Sequence, residues 1–421
     1  MEEDALPLSP GRVLIRKGRI LAVEKAQEPI PGVETIDATH GIILPGLVNA
    51  HGHTAMTLFR GFADDLPLSE WLFNKIFPAE ASFLNPDTVY WGALLGCLEM
   101  IASGTTSVVD GYFFQDATMK AVKQAGLRGL IAQGVIDFPA PGVPRPEDNL
   151  TVGRAFLERW SGTSDLLTPG LFCHSPVTCS EKTFRGAMEI SMDHGTPLQT
   201  HLSETVAEVE EIRGRTGVRP AFYLDRIGVL SEPLIAAHAI HLDDAEISLL
   251  GERGVCIVHL PESNMKLASG AARIQTLLDA GVRAALGTDG CASNNNLDLF
   301  QEMDTAAKFA KVVAGNPLHL SARAALRMAT WGGAEVMGMK EVIGTLEAGK
   351  RADLIVVDTE RPHLQPLYNP VSTLVYSAMG ADVRHVVVDG RVLLKDREFM
   401  TLDAGEIMAR VRGIAGKIRH A

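Results

Sequence analysis

The pattern of apolar and polar residues divides the chain between residues 42 and 290 into alternating short strands and helices. Eight short runs are apolar on both faces, which is typical of strands buried on both sides in a parallel sheet. They are IILPGLVNAHGH (42–53), TTSVVDG (105–111), RGLIAQGVID (128–137), TPGLFCHSP (168–176), TPLQTHLSE (196–204), LIAAHAIHL (234–242), GVCIVHLPES (254–263) and VRAALGTDG (282–290). The pattern predicts an α/β fold.

The segments between these runs carry helix start and stop signals. In NPDTVYWGALLGCLEMIASG, Asn85 suits the N-cap, Pro86 the first helical position and Gly104 the end of the helix. In SEKTFRGAMEISMDHG, Ser180 and Gly195 take the cap and stop positions. Eight strand–helix units predict a (β/α)8 TIM barrel. A doubly wound open sheet is the alternative, and the absence of a Gly-rich phosphate turn after the first strand disfavours it.

Both ends of the chain show a different pattern, that of short strands joined by turns. The predicted strand regions are residues 11–36, with turns at Gly18 and Pro31-Gly32, residues 349–358, and residues 383–396, with a hairpin turn at Asp389-Gly390. The two termini are therefore expected to join in one small β-sandwich domain beside the barrel. The predicted boundaries assign residues 1–45 and 341–421 to this domain and residues 46–340 to the barrel.

Composition narrows the class of protein. A chain of 421 residues is long enough for one large and one smaller domain, and its net charge of −12 argues against nucleic-acid or acidic-membrane binding. We find no apolar run of about 18 residues and no signal-peptide pattern. The cysteines are scattered without a C-x-x-C pair and are predicted to be buried. These features predict a reduced, cytoplasmic protein without a nucleic-acid or membrane partner, and they leave a homo-oligomer open.

Polar residues collect at the predicted carboxyl ends of the barrel strands, where TIM barrels carry their chemistry. They are His51 and His53 on the first strand, His174 on the fourth, His201 on the fifth, His238 on the sixth and Asp289 on the eighth. Two histidines at i and i+2 on a strand point to the same face. Imidazole nitrogens combined with a carboxylate suit zinc or iron. We therefore predict a metal site at this end of the barrel.

Seven sequence motifs resemble those of the amidohydrolase superfamily. They are PGLVNAHGHT, GTTSVVD, THLSET, AAHAIHL, HLPESNMKLASG, GTDGCASNNNLDLFQEM and GTLEAGKRADLIVVD. Within that superfamily they are similar to the branch of 5-methylthioadenosine/S-adenosylhomocysteine deaminases and triazine chlorohydrolases. The resemblance covers nearly the whole chain and implies a metal-bearing barrel with a β-sandwich built from both termini.

The resemblance also implies a site. His51, His53, His201 and Asp289 match the ligands of one divalent metal ion, usually Zn²⁺, with Fe²⁺ as the other candidate. The fourth strand offers His174 and no lysine, so a single ion is expected. Asp289 matches the general base, His238 the residue that orients the attacking water, and Glu204 the proton carrier. The positions that match substrate contacts are Glu80, His174, Glu204, Gln133 and Trp71.

The implied activity is hydrolytic deamination of an adenosine-type nucleoside to its inosine analogue and ammonia. Relatives of this branch commonly carry arginine at the position of Gln133 and read H-A-P-Y-T where this chain has Ser175 and Val177. A neutral amide cannot replace a guanidinium in binding a carboxylate, so the homocysteine end of the substrate is less supported than the metal chemistry. Triazine dechlorination and guanine or pterin deamination are the alternatives. A catalytically silent binding protein is a third hypothesis, disfavoured because every expected ligand is present.

Overall fold

The fold was analysed in a computed structural model, which describes residues 7–26 and 30–419. The strands are β1 Gly11–Arg16, β2 Arg19–Lys25, β3 Gly41–Pro45, β4 Leu47–Gly52, β5 Thr105–Tyr112, β6 Arg128–Val135, β7 Leu167–Cys173, β8 Leu198–Leu202, β9 Leu234–His238, β10 Cys256–His259, β11 Arg283–Leu286, β12 Leu354–Asp358, β13 Val383–Val388, β14 Arg391–Lys395 and β15 Glu398–Phe399.

The α-helices are α1 Leu68–Trp71, α2 Phe77–Phe83, α3 Pro86–Ala102, α4 Gln115–Ala125, α5 Asn149–Trp160, α6 Glu181–Asp193, α7 Val206–Thr216, α8 Pro220–Arg226, α9 Asp244–Arg253, α10 Pro261–Lys266, α11 Ile274–Asp279, α12 Leu299–Ala314, α13 Ala322–Arg327, α14 Gly333–Val336, α15 Pro370–Tyr376 and α16 Ala404–Arg419. Two π-helical turns, Leu72–Ile76 and Met328–Gly332, and 3₁₀ turns at Thr54–Phe59, Pro146–Asp148, Pro362–Leu364 and Gly380–Asp382 complete the helical structure.

Strands β4 to β11 form one parallel sheet in chain order, and each of the eight overlaps a predicted run, with β5 and β7 each extending one residue beyond it. The sheet closes on itself between its first and last strands. Gly52 and Asp289 form a parallel bridge, and the Asp289 N–H donates to the His51 carbonyl oxygen at 3.1 Å. Strands β4, β5 and β6 are buried along their whole length, which explains their continuous apolar runs. The predicted (β/α)8 barrel is confirmed.

The predicted helix caps are also confirmed. The Asn85 side chain accepts hydrogen bonds from the backbone N–H groups of Asp87 and Thr88 at the start of α3, and that helix ends before Gly104. Ser180 accepts from the N–H of Thr183 at the start of α6. These local signals fix where helices begin on the outside of the barrel.

A second sheet contains β3 and β12 to β15, all antiparallel, so it combines strands from both ends of the chain. The β1–β2 hairpin turns at Gly18 and joins this region because the Ile20 N–H donates to the Lys350 carbonyl oxygen at 2.9 Å. The turn at Asp389-Gly390 links β13 to β14. Within the predicted strand region 11–36, residues 27–29 lie outside the described part of the chain, as do residues 1–6 of the predicted N-terminal domain.

The end of the chain contains a helix that the strand pattern did not predict. Helix α16 packs against α3 on the outside of the barrel. Its buried side chains Ile407, Val411 and Ile418 recur at helical spacing, so the helix has one apolar face to cover. Among the described residues, no helix has the length and apolar composition needed to cross a membrane.

Candidate active site

Four predicted ligands converge at the carboxyl ends of the barrel strands. His51 lies in β4 with His53 just after it, His201 lies in β8, and Asp289 follows β11. One ligand atom of each residue lies within 4.8 Å of the others. His51 Nε2 is 3.2 Å from His201 Nε2, and His53 Nε2 is 3.2 Å from Asp289 Oδ1. Closure of the barrel therefore brings together residues from the first, fifth and eighth strands.

Hydrogen bonds behind the ligands hold their orientation. His53 Nδ1 faces the Gly111 carbonyl oxygen, which is the partner expected for the second nitrogen of a metal-binding imidazole. The second carboxylate oxygen of Asp289 accepts from Ser263 Oγ at 2.7 Å and from Ser293 Oγ at 2.8 Å. These contacts leave His53 Nε2 and Asp289 Oδ1 directed at the same point.

The donor set fits a divalent cation. Gly111 accepts from the His53 Nδ1–H, so Nε2 is the ring nitrogen that faces Asp289 Oδ1. The carboxylate favours a positive charge between these two atoms, either a bound cation or a proton on Nε2. Burial keeps the pKa values of His51 and His201 well below the usual range, so both are neutral lone-pair donors. Burial alone would also lower the pKa of His53, but the hydrogen bond and charge of Asp289 raise it to about 8. Three imidazoles and one carboxylate match the ligands that zinc prefers.

Beside this cluster, Glu204 and His238 form a buried pair. Glu204 Oε2 lies 3.5 Å from His238 Nε2, and the other Glu204 oxygen accepts from Ser269 Oγ at 3.1 Å. Burial raises the pKa of Glu204 to about 7, against the opposing charge of His238. His238 Nδ1 is 2.8 Å from Asn264 Oδ1, which orients the ring. A carboxyl group that holds a proton near neutral pH is suited to proton transfer.

His238 and Asp289 share an unusual backbone conformation. Both have positive φ, 70° for His238 and 59° for Asp289, in the left-handed region that residues with side chains seldom adopt. Such strain concentrates at functional sites. Here it occurs at the ends of two strands and turns both side chains toward the cluster.

One cavity connects the cluster with the remaining predicted contacts. Its lining includes the ligands His53, His201 and Asp289, the pair Glu204 and His238, and the predicted substrate contacts Glu80, His174 and Trp71. The other lining residues are Met56, Leu68, Leu72, Phe77, Tyr112, Phe113, Gly134, Val135, Ile136, Phe172, Glu208, Leu267 and Ser293. No lysine or arginine lines this cavity among the described residues. The site is therefore acidic and histidine-rich near the cluster and apolar farther away.

Three of the predicted substrate contacts have well-defined surroundings. Burial raises the pKa of Glu80 to about 7, and its Oε1 accepts from the Tyr112 hydroxyl at 2.5 Å. Burial lowers the pKa of His174 to about 3, so this ring is neutral, and its Nδ1 lies 2.9 Å from Thr178 Oγ1. The Trp71 indole N–H is buried and has no hydrogen-bond partner in the described part of the chain. All three can offer polar atoms to a bound molecule.

The structure does not bring Gln133 to the cavity. Its side chain is buried, and Oε1 accepts from the backbone N–H of Gln115 at 3.3 Å while Nε2 donates to the Gly134 carbonyl oxygen at 3.2 Å. The sequence-based assignment of Gln133 to the substrate is thus not supported by its position. Its strand neighbours Gly134 and Val135 line the cavity instead.

Sequence reasoning missed residues that complete the cavity and its support. Phe172 lies against the rings of His51, His53, His174 and His201, with ring centroids 5.0 to 6.1 Å apart. Its position two residues before His174 was a usable signal, because residues two apart on a strand point to the same face. Glu208 and Tyr112 also line the cavity, and only tertiary contacts identify them.

Comparison with known proteins agrees with this geometry. The Amidohydrolase family model matches residues 42–393. A 5-methylthioadenosine/S-adenosylhomocysteine deaminase of Syntrophobacter fumaroxidans is 48% identical over 422 residues, covering 100% of this chain and 96% of the relative. A 5′-deoxyadenosine deaminase of Methanosarcina mazei is 44% identical over 420 residues, covering 99% and 96%.

Similarity extends to solved structures. An adenosine deaminase from Xanthomonas campestris with bound zinc superposes with a TM-score of 0.92 at 37% identity, covering 98% of this chain and 94% of that one. A family match over most of the chain, together with relatives of this identity and coverage, establishes the family. The chain belongs to the amidohydrolase family.

Proposed function

We propose that this protein is a metal-dependent hydrolytic deaminase that converts an adenosine-type nucleoside to its inosine analogue and ammonia. The observation that carries the proposal is the buried Glu204 carboxyl, with a pKa near 7, in the cavity that three of the four proposed ligands line. Relatives named as deaminases of 5-methylthioadenosine, S-adenosylhomocysteine and 5′-deoxyadenosine support the substrate class. The zinc in the structure of the Xanthomonas enzyme supports the metal.

In this proposal, His51, His53, His201 and Asp289 bind one divalent ion, with Zn²⁺ favoured over Fe²⁺. When bound, the ion would supply the Lewis acidity that makes water nucleophilic at neutral pH. Asp289 accepts the proton of the attacking water at Oδ1, the oxygen not used by Ser263 and Ser293. His238 Nε2 orients that water.

Glu204 carries protons between the two sides of the reaction. Its protonated carboxyl donates to the ring nitrogen next to the amino-bearing carbon as water adds to that carbon. The water proton held by Asp289 then goes to the amino group, which leaves as ammonia. The remaining hydroxyl proton of the adduct returns to Glu204 as the carbonyl forms. Overall, one water is consumed and one C–N bond is replaced by C=O. Burial holds Glu204 in the form needed for the first step.

The remaining cavity residues select the substrate. In this proposal Glu80 accepts hydrogen bonds from ribose hydroxyls, His174 supplies an imidazole nitrogen, and Trp71 covers the purine. Leu68, Leu72, Phe77, Ile136 and Leu267 make the outer wall apolar, and no cationic side chain lines it among the described residues. This favours nucleosides with a short, uncharged 5′ substituent over those with a zwitterionic one.

The test is turnover by zinc-loaded enzyme on a panel of nucleosides and other heterocycles, followed by ammonia release and ultraviolet change. We expect deamination of 5′-deoxyadenosine, 5-methylthioadenosine and adenosine, with kcat/KM at least about 10-fold above that for S-adenosylhomocysteine. Turnover of guanine, pterins or triazines alone would move the assignment to those alternatives. Bound metal without any turnover would contradict enzymatic function and favour a silent binding protein.

Glu204→Gln tests the proton-transfer role. We expect unchanged zinc content and a fall in kcat of about 100-fold or more, because the amide cannot deliver a proton. Zinc content by metal analysis is the internal control. Activity within a few-fold of the wild type would remove Glu204 from the mechanism.

Two further assignments accompany this proposal. We assign residues 46–340 to a barrel domain and residues 1–45 and 341–421 to a β-sandwich domain, supported by the pairing of β3 with β12 in the second sheet. We place the enzyme in the cytoplasm, supported by five free and buried cysteines.

A further inference from the structure

A buried carboxylate lies directly behind the His51/His53 pair and is not used by the proposed mechanism. Asp110 is in β5 and is fully buried. Its Oδ1 accepts from both the backbone N–H and the hydroxyl of Thr54, each at 2.5 Å, and its Oδ2 accepts from Gln115 Nε2 at 2.6 Å. We call Thr54, Asp110, Gln115 and Gln133 the Asp110 network.

The network continues to the third barrel strand. Gln115 Nε2 also donates to the Ala132 carbonyl oxygen at 3.1 Å, and the Gln115 backbone N–H donates to Gln133 Oε1 at 3.3 Å. Gln133 therefore supplies an acceptor at the start of helix α4. Arginine has no acceptor atom and cannot take this place. The network thus depends on the acceptor oxygen of Gln133.

Asp110 and its neighbour hold His53 through two separate contacts. The Asp110 carboxylate fixes the backbone of Thr54, which shares a peptide bond with His53. The carbonyl oxygen of Gly111 faces Nδ1 of the His53 ring. Both the main chain and the side chain of one predicted ligand are thus set by two consecutive residues of β5.

Thr54 is also confined from the opposite side. Gly96 of α3 approaches so closely that a Cβ there would lie 2.4 Å from Thr54 Cγ2 and 2.9 Å from the Thr54 carbonyl oxygen. The residue that follows His53 is therefore held between a helix and the Asp110 carboxylate. A shift of Thr54 would be transmitted to His53, because neither side leaves space for it to move independently.

We propose that Asp110 is a positioning residue that sets the geometry of His53 in the metal centre, an inference that rests on the metal site of the proposed function. Burying a carboxylate is costly unless its hydrogen bonds are satisfied, and packing alone could be achieved with an apolar residue. Here three donors from two segments meet one carboxylate beside a ligand. Supporting contacts of this kind typically change metal affinity by 10- to 100-fold when they are removed.

The test compares zinc affinity and Co²⁺ absorption among wild type, Asp110→Asn, Thr54→Val and Thr54→Ser. Asp110→Asn should weaken zinc binding by about 10- to 100-fold in competition with a chelating dye and should alter the visible spectrum of the Co²⁺-substituted protein. Thr54→Val removes one hydroxyl donor and should have a smaller effect in the same direction. Thr54→Ser retains both donors and should restore the wild-type affinity and spectrum.

Thr196→Val is the matched control, because Thr196 is buried and its hydroxyl donates to the Pro169 carbonyl oxygen at 2.7 Å, outside the network. It should lower thermal stability without changing zinc affinity or the Co²⁺ spectrum. If Asp110→Asn and Thr54→Val behave like this control, the inference is wrong while the proposed function stands. If Asp110→Asn does not fold, the comparison of zinc affinity between Thr54→Val and Thr54→Ser tests the inference. Failure of the wild type to bind either metal would overturn the proposed site and this inference together.

Discussion

Glu80 and Glu204 show how burial alone prepares single carboxyl groups for chemistry near neutral pH. Burial raises the pKa of each to about 7, and the two differ in their partners. Glu80 faces the Tyr112 hydroxyl, whereas Glu204 faces His238. In the proposed function, Glu80 acts as a hydrogen-bonding group and Glu204 exchanges a proton.

Glu80→Gln is expected to change how stability depends on pH. The folded protein binds the Glu80 proton more tightly than the unfolded chain, in which the pKa of this carboxyl is near 4.5. The bound proton therefore contributes its full stability below about pH 4.5, and this stability is lost as the pH rises to about 7. We would measure the free energy of unfolding of the metal-free proteins in urea at pH 5 and at pH 8. Between these pH values it should fall more in the wild type than in the variant, by up to about 3 kcal/mol.

Glutamine is a suitable replacement because its carbonyl oxygen still accepts from the Tyr112 hydroxyl. The other titrating groups of the cavity are common to both proteins and cancel in the comparison. An equal loss of stability in the two proteins would show that Glu80 is not held protonated.

At the level of elements, a buried ion pair joins the barrel to the second sheet. Arg128 at the start of β6 donates to Asp353, with Nε to Oδ2 at 2.8 Å and Nη2 to Oδ1 at 3.1 Å. Both side chains are 2% exposed. Asp353 also accepts from the Asp389 N–H in the hairpin turn, so one carboxylate connects β6, the segment before β12 and the β13–β14 turn.

Arg128→Met should lower the free energy of unfolding by about 3–5 kcal/mol, because it leaves the Asp353 charge buried and unpaired. The double variant Arg128→Met/Asp353→Leu should recover part of this loss. Urea unfolding of the two single variants and the double variant measures the coupling energy. Activity at low temperature should be retained, since Arg128 is at the opposite end of its strand from the site. Additive losses would contradict a coupled pair.

For the whole molecule, the decisive event is closure of the barrel between β11 and β4. Gly287 permits this contact, because a Cβ there would lie 2.7 Å from the carbonyl oxygen of His51 and 2.8 Å from the backbone nitrogen of His51. Closure thus places Asp289 beside His51 and His53. The fold and the ligand cluster depend on the same close approach.

Gly287→Ala should cost about 1–3 kcal/mol through overpacking and should weaken zinc binding, because His51 must move. Gly214→Ala is the control, as nothing lies within 4 Å of a Cβ at that position in helix α7. That change should raise helix stability by about 0.5–1 kcal/mol and leave zinc affinity unchanged. Thermal unfolding measures the change in stability, and competition with a chelating dye measures the zinc affinity. A wild-type zinc affinity in Gly287→Ala would contradict the role of barrel closure.

Removal of metal should destabilise the whole barrel, because the predicted ligands come from the first, fifth and eighth strands. At a free zinc concentration about 1,000-fold above Kd, binding adds about 4 kcal/mol to the free energy of unfolding. Chelator-treated wild type should therefore melt at a lower temperature than zinc-loaded protein. In His53→Ala the zinc-dependent increase in melting temperature should be largely absent. An equal increase in both proteins would place the ion elsewhere.

The sequence by itself determined the eight strands, the caps at Asn85 and Ser180, and the presence of chemical residues at strand ends. These properties are local, because they follow from continuous apolar runs and from backbone groups a few residues apart. The strand pattern did not predict α16, because the apolar face of this helix is buried only by packing against α3.

Tertiary structure decided which of these residues meet and what each one faces. Sequence assigned Gln133 to the substrate, and in the structure its side chain accepts from the Gln115 N–H, a contact that nothing in its neighbours along the chain could have indicated. The partners of Glu80 and Asp110 likewise come from distant segments. Distances between side chains depend on barrel closure and on the register of neighbouring strands, and both are set by packing of the whole chain.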